Sequence, residues 1–334
     1  MSVFKTQEIG SLKKPSWLLE FLRTSTDEEE KKQALDEAAF LNIKMLEHIG
    51  LDYVYDGEVR RVEMYELPVK NIHGFEFVGR VRSWDNKYYR KARVIDRVEY
   101  VRNYHMEEFL FVKQNAVKIP KIPVTGAYTL MDWSYNEVYN SREDLAMDLA
   151  RKIINRLLRE LQDAGMTVVK IDEPAATTHP SEMEMFVRVF NEQVKGLSAK
   201  INTHICYSGD EYASLMPRIP DLKAVHFALE FANRDRLELG TDDSSSPGYR
   251  SLKQFREYAG NKEIGLGVLD VHSDFIEPPE LVRDRILYAV KVIGDPSRIY
   301  VNPDCGLRTR KRSVAFAKLR NMIEGVRLAE RALR

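Results

Sequence analysis

Short apolar runs alternate along the chain with longer segments whose apolar positions recur at helical spacing. Several of the short runs hold four or more apolar, often β-branched residues in succession, which is typical of strands in a buried parallel sheet. We predict eight strands, at residues 4–10, 52–58, 121–126, 167–174, 200–207, 223–230, 263–270 and 298–304. Helix-like segments lie between them, so the pattern indicates repeated βαβ units.

Helix ends can be read in three of the longer segments. Asp27 and Ser141 are in position to act as N-caps, and two prolines open the third segment. These helices are predicted over residues 27–50, 141–165 and 278–294, and each segment ends at a glycine. Eight strands with such crossovers favour an α/β fold of the closed (β/α)8 TIM barrel type. No glycine-rich nucleotide fingerprint follows the first strand, which argues against a Rossmann fold.

Two segments interrupt this rhythm. Residues 76–102 predict an antiparallel hairpin excursion with its turn at Asp85, Asn86 and Lys87. Residues 80–102 hold eight Lys or Arg and three acids, so the hairpin is either solvated or an arm that contacts an anionic ligand tail or partner. Residues 240–250 are rich in Ser, Asp and Gly, and we interpret them as a linker or lid.

The composition narrows the class of protein. The chain of 334 residues is 44% hydrophobic, enough for one large barrel domain. Its 51 basic and 51 acidic residues balance, so we expect neither nucleic acid nor an anionic membrane as partner. The start lacks the apolar region of a signal peptide, and no window approaches a membrane span. Two cysteines are too few for a disulfide framework, so a cytoplasmic location is expected.

Polar residues cluster where the predicted strands end. In a (β/α)8 barrel, catalytic and binding residues lie at the carboxyl ends of the strands. A packed core has no use for so many polar groups, and each would cost several kcal/mol if it were buried without a partner. These residues include Asp56, Glu58, Asp172, Glu173, His204, Cys206, Glu230, Asp270, His272, Asp304 and Cys305.

Four of these residues predict a zinc site. His204 and Cys206 are two positions apart, so on a strand both side chains point to the same face. Cys305 ends the eighth predicted strand and Glu230 ends the sixth. An isolated cysteine is most often a small core residue, but one imidazole, two thiolates and one carboxylate together are ligands that zinc accepts. A substrate thiol that reached such an ion would be deprotonated and become a nucleophile.

The same residues lie in motifs that resemble the C-terminal catalytic barrel of the cobalamin-independent methionine synthase family. The resemblance covers most of the chain, through EIGS, DGEVRRVEMYE, TLMDWSY, KIDEPA, HICYSG, GVLDVHS and VNPDCGLRTR. It implies a zinc-dependent methyltransferase that moves a methyl group from a folate-like carrier to the zinc-bound thiol of L-homocysteine and yields L-methionine. Carried over by position, the zinc ligands would be His204, Cys206, Glu230 and Cys305.

The resemblance also implies roles for further residues. Homocysteine would be held by the Ile9 backbone, Ser11, Glu58 and Asp172, Trp133 would face the pterin ring, and His272 would be the proton donor. Each role has a structural alternative. His272 could be a core histidine bonded to Asp270 or Asp274, Trp133 could serve packing alone, and Glu58 and Asp172 could pair with Arg60 and Arg61.

The chain differs from the full-length members of this family in the parts that bind the methyl donor. Full-length bacterial and plant enzymes have a second, N-terminal barrel that helps to bind the carrier, whereas residues 1–334 are interpreted as a single catalytic barrel. Residues 85–95 do not align with the carrier-contacting segment, so no donor-binding residue is assigned there. Because short archaeal-type and bacterial relatives have this single-barrel form, the donor is expected to be a methylated tetrahydropteridine or a methylcorrinoid, free or on a separate protein.

Three other functions are open to a chain with these residues. The first keeps the zinc but uses another thiol, such as coenzyme M, with an epoxide or alkyl donor. The second is a glycoside hydrolase built on Glu173 and Glu230, which leaves the two cysteines and His204 without a role. The third is a zinc barrel that acts only as a scaffold or methyl-accepting subunit for a separate carrier-binding protein.

Overall fold

The computed structural model describes residues 3–82, 88–206 and 209–334. Its strands, numbered along the chain, are β1 (Lys5–Thr6), β2 (Tyr53–Val54), β3 (Ile72–Arg82), β4 (Tyr88–Tyr100), β5 (Ile119–Pro120), β6 (Ile122–Thr125), β7 (Ser134–Asn136), β8 (Val168–Asp172), β9 (Lys200–Ile205), β10 (His226–Leu229), β11 (Glu263–Gly267) and β12 (Ile299–Asn302). Each of the eight predicted strand segments contains one of these strands. The last residue of the predicted segment 200–207 lies outside the described residues.

The helices occupy most of the connections between these strands. They are α1 (Ser16–Thr24), α2 (Glu28–Ile49), α3 (Glu66–Asn71), α4 (Met106–Asn115), α5 (Ala127–Asp132), α6 (Arg142–Asp148), α7 (Asn155–Asp163), α8 (Met183–Gln193), α9 (Leu252–Tyr258), α10 (Pro279–Ile293) and α11 (Arg312–Ala332). The predicted N-caps are confirmed. The Asp27 side chain accepts hydrogen bonds from two amides of α2, and Ser141 accepts one from the Asp144 amide at the start of α6.

A curled sheet of seven parallel strands forms the centre of the molecule. Its order is β1-β12-β11-β10-β9-β8-β6, and all neighbouring strands in it are parallel. Parallel order places the carboxyl ends of these strands at one edge. The fold is therefore α/β with a curled parallel sheet, as the strand and helix pattern predicts.

A short sheet of β2 and β5 lies beside both outer strands of the large sheet. Gln7, just after β1, forms a parallel bridge with Tyr53, and the Lys121 amide donates to the Val54 carbonyl at 3.1 Å. Lys121 connects β5 to β6, so this small sheet contacts each margin of the large one.

The predicted hairpin excursion is present. β3 and β4 pair antiparallel from Ile72↔Tyr100 to Arg82↔Tyr88, and β4 also pairs with β7. The predicted turn at residues 85–87 lies outside the described residues. Several of the cations have local partners, since Arg93 forms ion pairs with Glu76 and Glu137 and Arg90 lies 3.6 Å from Glu66. For these residues, the contacts fit the interpretation of a solvated hairpin.

The segment at residues 240–250 is packed into the protein rather than free. The Asp242 carboxylate accepts hydrogen bonds from the amides of Ser244 and Ser245. Tyr249 is fully buried, its ring stacks on Phe231 with centroids 5.2 Å apart, and its hydroxyl donates to the Gly267 carbonyl at 2.7 Å. The interpretation of this segment as a linker or lid is therefore corrected for the part around Tyr249, which packs into the core.

Among the described residues, no helix combines the length and the apolar character needed to cross a lipid bilayer.

The buried Tyr249 generates a test of this packing. We expect Tyr249→Ala to lower the free energy of unfolding by about 3–5 kcal/mol, because it leaves a cavity against Phe231. Tyr249→Phe keeps the stack and loses one hydrogen bond, at a cost of about 1 kcal/mol. Urea denaturation measures both, with Tyr258→Ala on the neighbouring exposed helix face as control, at less than about 1 kcal/mol. Equal effects of the alanine variants at positions 249 and 258 would contradict this account.

Candidate metal centre and adjoining pocket

The four predicted ligands lie together at the carboxyl edge of the curled sheet. His204 is on β9, Cys206 directly follows this strand, Glu230 follows β10, and Cys305 follows β12. His204 Nε2 lies 3.3 Å from Cys206 Sγ and 3.4 Å from Cys305 Sγ, and the two Sγ atoms are 3.7 Å apart. With a Glu230 carboxylate oxygen included, the four ligand atoms all lie within 4.8 Å of one another.

These distances fit the donor set of a tetrahedral zinc ion. Zinc–sulfur bonds of about 2.3 Å and zinc–nitrogen bonds of about 2.0–2.1 Å place two sulfurs about 3.8 Å apart, and sulfur and nitrogen about 3.5 Å apart. The observed separations are close to both values. Both cysteines are free thiols rather than a disulfide. Two soft sulfur donors disfavour magnesium and calcium, so the cluster suits a borderline-soft ion such as zinc.

The imidazole of His204 is oriented for coordination. Its Nδ1 lies 3.0 Å from the Ala228 carbonyl oxygen, so Nδ1–H donates to the neighbouring strand β10 and Nε2 faces the two thiols. Burial, with the Lys170 ammonium nearby, lowers the pKa of His204 well below its usual range. The ring is therefore neutral, which is the form that binds a metal, and its orientation is set by the backbone.

The two thiols and the carboxylate oppose one another electrostatically. The hydrogen bond with Cys305 and then burial raise the pKa of Cys206 well above its usual range, and the charges of Cys305, Glu230 and Asp172 add to this effect. Several anions cannot share a buried site unless a cation offsets their charge. The arrangement is therefore suited to a divalent ion, which would hold both sulfurs as thiolates.

A buried tyrosine links two of the ligand-bearing segments. The Tyr212 hydroxyl donates to the Ile205 carbonyl at 3.0 Å and accepts from the Glu230 amide at 2.9 Å. Asn233 Nδ2 donates to Glu230 Oε2 at 3.1 Å. The carboxylate ligand is thus held through its backbone and its side chain by groups outside the cluster.

Asp304 performs a similar role between the other segments. Its carboxylate accepts hydrogen bonds from the amides of Phe231, Ala232 and Asn233 at 2.9, 3.0 and 2.7 Å. Because Asp304 directly precedes Cys305, these bonds connect the loop after β12 to the loop after β10. Sequence reasoning noted Asp304 at a strand end but assigned it no role. Its adjacency to Cys305 was the available signal.

The predicted amino-acid-binding residues lie beside this cluster. A Cβ placed on Gly10 would stand 2.7 Å from Glu58 Oε1 and 3.8 Å from Lys170 Nζ. A Cβ on Gly306 would stand 2.8 Å from Ser11 Oγ, so Ser11 packs against the residue after the ligand Cys305. Lys170 Nζ in turn contacts Asp172 Oδ1. The structure therefore brings Ser11, Glu58 and Asp172 to one region, with the buried Ile9 between Glu8 and Gly10.

The backbone at Glu58 has an uncommon conformation. Glu58 has φ of +55° and follows Gly57, which has φ of +72°. The Glu58 amide donates to Asp56 Oδ1 at 2.9 Å, which helps to hold this turn. Left-handed backbone at a non-glycine residue costs free energy and tends to occur at functional sites.

The arginines expected as structural partners are mainly engaged elsewhere. Arg60 pairs with Asp56 and Asp36, and Arg61 makes a two-nitrogen contact with the Glu108 carboxylate, the shorter at 2.7 Å. Arg61 approaches Glu58 only to 3.8 Å. The alternative in which Glu58 and Asp172 serve only to pair with these arginines is therefore weakened.

The two donor-side residues are placed differently. Trp133 ends α5, is half-buried, and lies against Tyr65 with ring centroids 6.0 Å apart. His272 is exposed on the loop after β11, and its amide donates to Asp270 Oδ1 at 2.8 Å. His272 is therefore not a core histidine. It lies outside the cluster of four predicted metal ligands.

Glu173 has a structural position. It is fully buried, and its carboxylate accepts from the Thr129 amide, the Thr129 hydroxyl and the Gln193 side chain. Burial raises the pKa of Glu173 to about 7, although these hydrogen bonds act to lower it. A carboxylate enclosed in this way cannot reach a sugar ring, so the glycoside hydrolase interpretation is not supported.

Sequence reasoning missed a group of buried charges beside these residues. Lys121, Lys170 and Glu8 are each about 1% exposed. Full burial is rare for lysine and glutamate unless they are paired. A signal for Lys170 was present, since it lies two residues before Asp172 on a strand and therefore points to the same face.

Comparison with known proteins identifies the family. Residues 4–328 match the model of the family described as "Cobalamin-independent synthase, Catalytic domain". A methionine synthase of Thermoplasma volcanium is 46% identical over 336 residues, which is 97% of each chain. One from Pyrococcus furiosus is 39% identical over 332 residues, covering 98% of this chain and 93% of the relative.

A solved structure shares the fold. It is described as a B12-independent methionine synthase from Shewanella sp. W3-18-1 in complex with selenomethionine. The TM-score is 0.84 at 23% identity, with 100% of this chain and 99% of the other covered. At this identity the likeness concerns the fold alone.

The connection that Asp304 makes between the loops after β10 and β12 can be tested through metal affinity. We expect Asp304→Asn to weaken zinc binding by about 10–100-fold, because one of its three amide partners then faces an NH2 group and the Cys305 segment loosens. Competition with a chromophoric chelator measures the affinity. Asp242→Asn is the matched control, since Asp242 also accepts loop amides but lies outside the cluster. A zinc affinity of Asp304→Asn within twofold of that of the control would refute this connection.

Proposed function

The chain belongs to the cobalamin-independent methionine synthase family of methyltransferases, and from this premise we propose that it methylates the thiol of L-homocysteine to give L-methionine. The observation that carries the proposal is the close grouping of His204, Cys206, Glu230 and Cys305. Such a grouping, beside buried carboxylates, suits an amino-acid thiol better than a substrate that lacks sulfur.

We propose that these four side chains hold one Zn2+ ion. When bound, zinc would supply a substrate thiolate at neutral pH by lowering the pKa of a coordinated thiol. Glu230 would be the exchangeable ligand, since Asn233 Nδ2 donates to one of its oxygens and would keep the carboxylate in place. His204 stays fixed through its bond to the Ala228 carbonyl.

The amino-acid end of homocysteine would lie beside the metal cluster, among Ser11, Glu58 and Asp172. Glu58 and Asp172 are proposed to accept hydrogen bonds from its ammonium group, which are stronger than bonds between neutral groups. Ser11 and the Ile9 backbone would hold its carboxylate. The support is their placement, since Ser11 touches Gly306 beside Cys305 and Glu58 packs against Gly10.

Methyl transfer forms a sulfur–carbon bond and breaks the bond between the methyl group and its carrier. With a methyltetrahydropteridine donor, the leaving nitrogen is a poor leaving group unless it gains a proton. We propose that His272, on the exposed loop after β11, donates that proton. Trp133 would offer its ring to the pterin, and its half-buried position leaves part of the indole accessible.

The donor itself is proposed to be a methylated tetrahydropteridine or a methylcorrinoid, free or carried by a separate protein. Trp133 directly precedes β7, which pairs with β4 of the basic hairpin. A donor that reached Trp133 would therefore pass close to this hairpin.

We also propose that the curled sheet closes as a (β/α)8 barrel and that residues 1–334 act as one catalytic unit. The bridge between Gln7 and Tyr53 and the bond from the Lys121 amide to Val54 support closure, because they connect both margins of the large sheet to β2. The two free thiols fit a reducing compartment, so a cytoplasmic location is proposed.

The second candidate function uses the same zinc with coenzyme M as the thiol. Coenzyme M has no ammonium group, so Glu58 and Asp172 would have no partner on it. We expect homocysteine to compete strongly with coenzyme M in thiol-binding titrations, and Glu58→Gln to weaken homocysteine by about tenfold or more while changing coenzyme M little. Isothermal titration with zinc-loaded protein measures both. Preference for coenzyme M in the unmodified protein would favour the second function.

Loss of a predicted zinc ligand should abolish both zinc binding and methionine formation. We expect Cys305→Ser to lose zinc and to reduce methionine formation by more than about 100-fold. This exceeds the usual effect of replacing a residue that only hydrogen-bonds to a metal ligand. Homocysteine and zinc-loaded protein would be incubated in parallel with methyltetrahydropteridine, methylcobalamin and a methylated corrinoid protein. Glu230→Gln should also reduce zinc affinity, whereas Glu263→Gln, on the amino end of β11, should not.

Failure of the unmodified, zinc-loaded chain to form methionine with every one of these donors would contradict the proposed function. Activity of the purified single chain would exclude the alternative of a scaffold subunit.

A further inference from the structure

A compact group of five buried charges lies next to the metal cluster. It holds the carboxylates of Glu8, Glu58 and Asp172 and the ammonium groups of Lys121 and Lys170, all of them less than a tenth exposed. A zinc-bound thiol needs none of the lysines. Their presence in the pocket proposed for a substrate ammonium group therefore needs an explanation.

Lys170 occupies the place that the substrate ammonium is proposed to take. Its Nζ contacts Asp172 Oδ1, and both Nζ and Glu58 Oε1 lie within 4 Å of the point where a Cβ on Gly10 would stand. A cation at this position already pairs with Asp172 and lies near Glu58. A second ammonium group could enter only if the first moved, because two like charges in a buried site repel each other strongly.

Glu8 offers a second position for the lysine. Within the described residues, the Glu8 carboxylate is buried and has no side-chain hydrogen-bond partner, and the Gly10 amide is the backbone group that favours its charged form. Lys121, the other buried cation, donates instead to the Gln7 side chain and to the Glu8 backbone carbonyl. Burial raises the pKa of Glu8 to about 7, opposed by the charges of Lys121 and Lys170 and by the Gly10 amide. An unpaired buried carboxylate is costly, so it is a ready acceptor for a mobile ammonium group.

We infer that Lys170 is a displaceable internal counter-ion. Its ammonium group pairs with Asp172 while the site is empty and moves to Glu8 when the ammonium group of an amino-acid thiol arrives. The inference rests on the proposed function and deepens it. Lys170 is a positioning residue that sets the charge of the ammonium subsite, and Glu8 is the residue that receives it.

This exchange has a consequence for specificity. A thiol with an ammonium group replaces Lys170 beside Asp172 and Glu58, while Lys170 gains Glu8, so both ammonium groups keep a carboxylate partner. A thiol without an ammonium group leaves Lys170 on Asp172 and gains nothing from the pair. Homocysteine and 4-mercaptobutyrate, which is homocysteine without its amino group, therefore separate the two cases.

A double-mutant cycle tests the coupling. Isothermal titration would measure the binding of both thiols to zinc-loaded wild-type protein, Glu8→Gln, Lys170→Met and the double variant. We expect Glu8→Gln to weaken homocysteine by about tenfold or more and 4-mercaptobutyrate by less than about threefold. In the Lys170→Met background the effect of Glu8→Gln on homocysteine should fall below about threefold. Lys200→Met, a change of the same kind at the amino end of β9, is the control and should leave the thiol preference unchanged.

The results discriminate between the inference and its premise. If Glu8→Gln weakens both thiols equally, or keeps its full effect without Lys170, the counter-ion inference is wrong and the proposed function stands. If wild-type protein does not bind homocysteine at all, the proposed function fails and the inference fails with it.

Crystal structures of the wild-type zinc protein give a test that does not depend on the folding of variants. With homocysteine bound, Lys170 Nζ should lie within hydrogen-bond distance of the Glu8 carboxylate. With 4-mercaptobutyrate it should remain on Asp172. An ammonium group of Lys170 that stays on Asp172 in both complexes would overturn the inference.

Discussion

The mutual repulsion of two thiols and a carboxylate in a buried site is the constraint on which the rest of this structure depends. Cys206, Cys305 and Glu230 can all be ionised there only if a divalent cation offsets their charge. The neutral imidazole of His204 completes the set without adding charge.

The curled parallel sheet satisfies this constraint through its topology. Parallel strands deliver their carboxyl ends to one edge, so ligands from β9, β10 and β12 meet although they are far apart in sequence. Asp304 and Tyr212 then connect the segments that carry the ligands. Glu58, beside the cluster, is positioned differently. Its backbone has a left-handed conformation, and its side chain packs against the bare Cα of Gly10. The candidate metal cluster thus adjoins a group of buried charges.

Much of this arrangement could be predicted from the sequence. The eight strand segments were identifiable from short apolar runs, and the N-caps Asp27 and Ser141 from side chains that can bond helix amides. The ligand set followed from the i, i+2 spacing of His204 and Cys206 and from the position of Cys305 at a strand end.

The remaining features depend on contacts that no local pattern contains. Spacing places Lys170 on the same face as Asp172, but only the packed interior shows that its ammonium group turns to that carboxylate while Glu8 has no side-chain partner. Likewise, the polar composition of residues 240–250 suggested a linker or lid, whereas the buried ring of Tyr249 against Phe231 anchors the end of this segment.

X-ray absorption at the zinc edge tests the central claim most directly. Zinc-loaded protein should show two sulfur ligands at about 2.3 Å and two nitrogen or oxygen ligands at about 2.0–2.2 Å. Addition of homocysteine should raise the sulfur count to three and remove one of the lighter ligands. Zinc with fewer than two sulfur ligands, or a sulfur count unchanged by saturating homocysteine, would contradict the account.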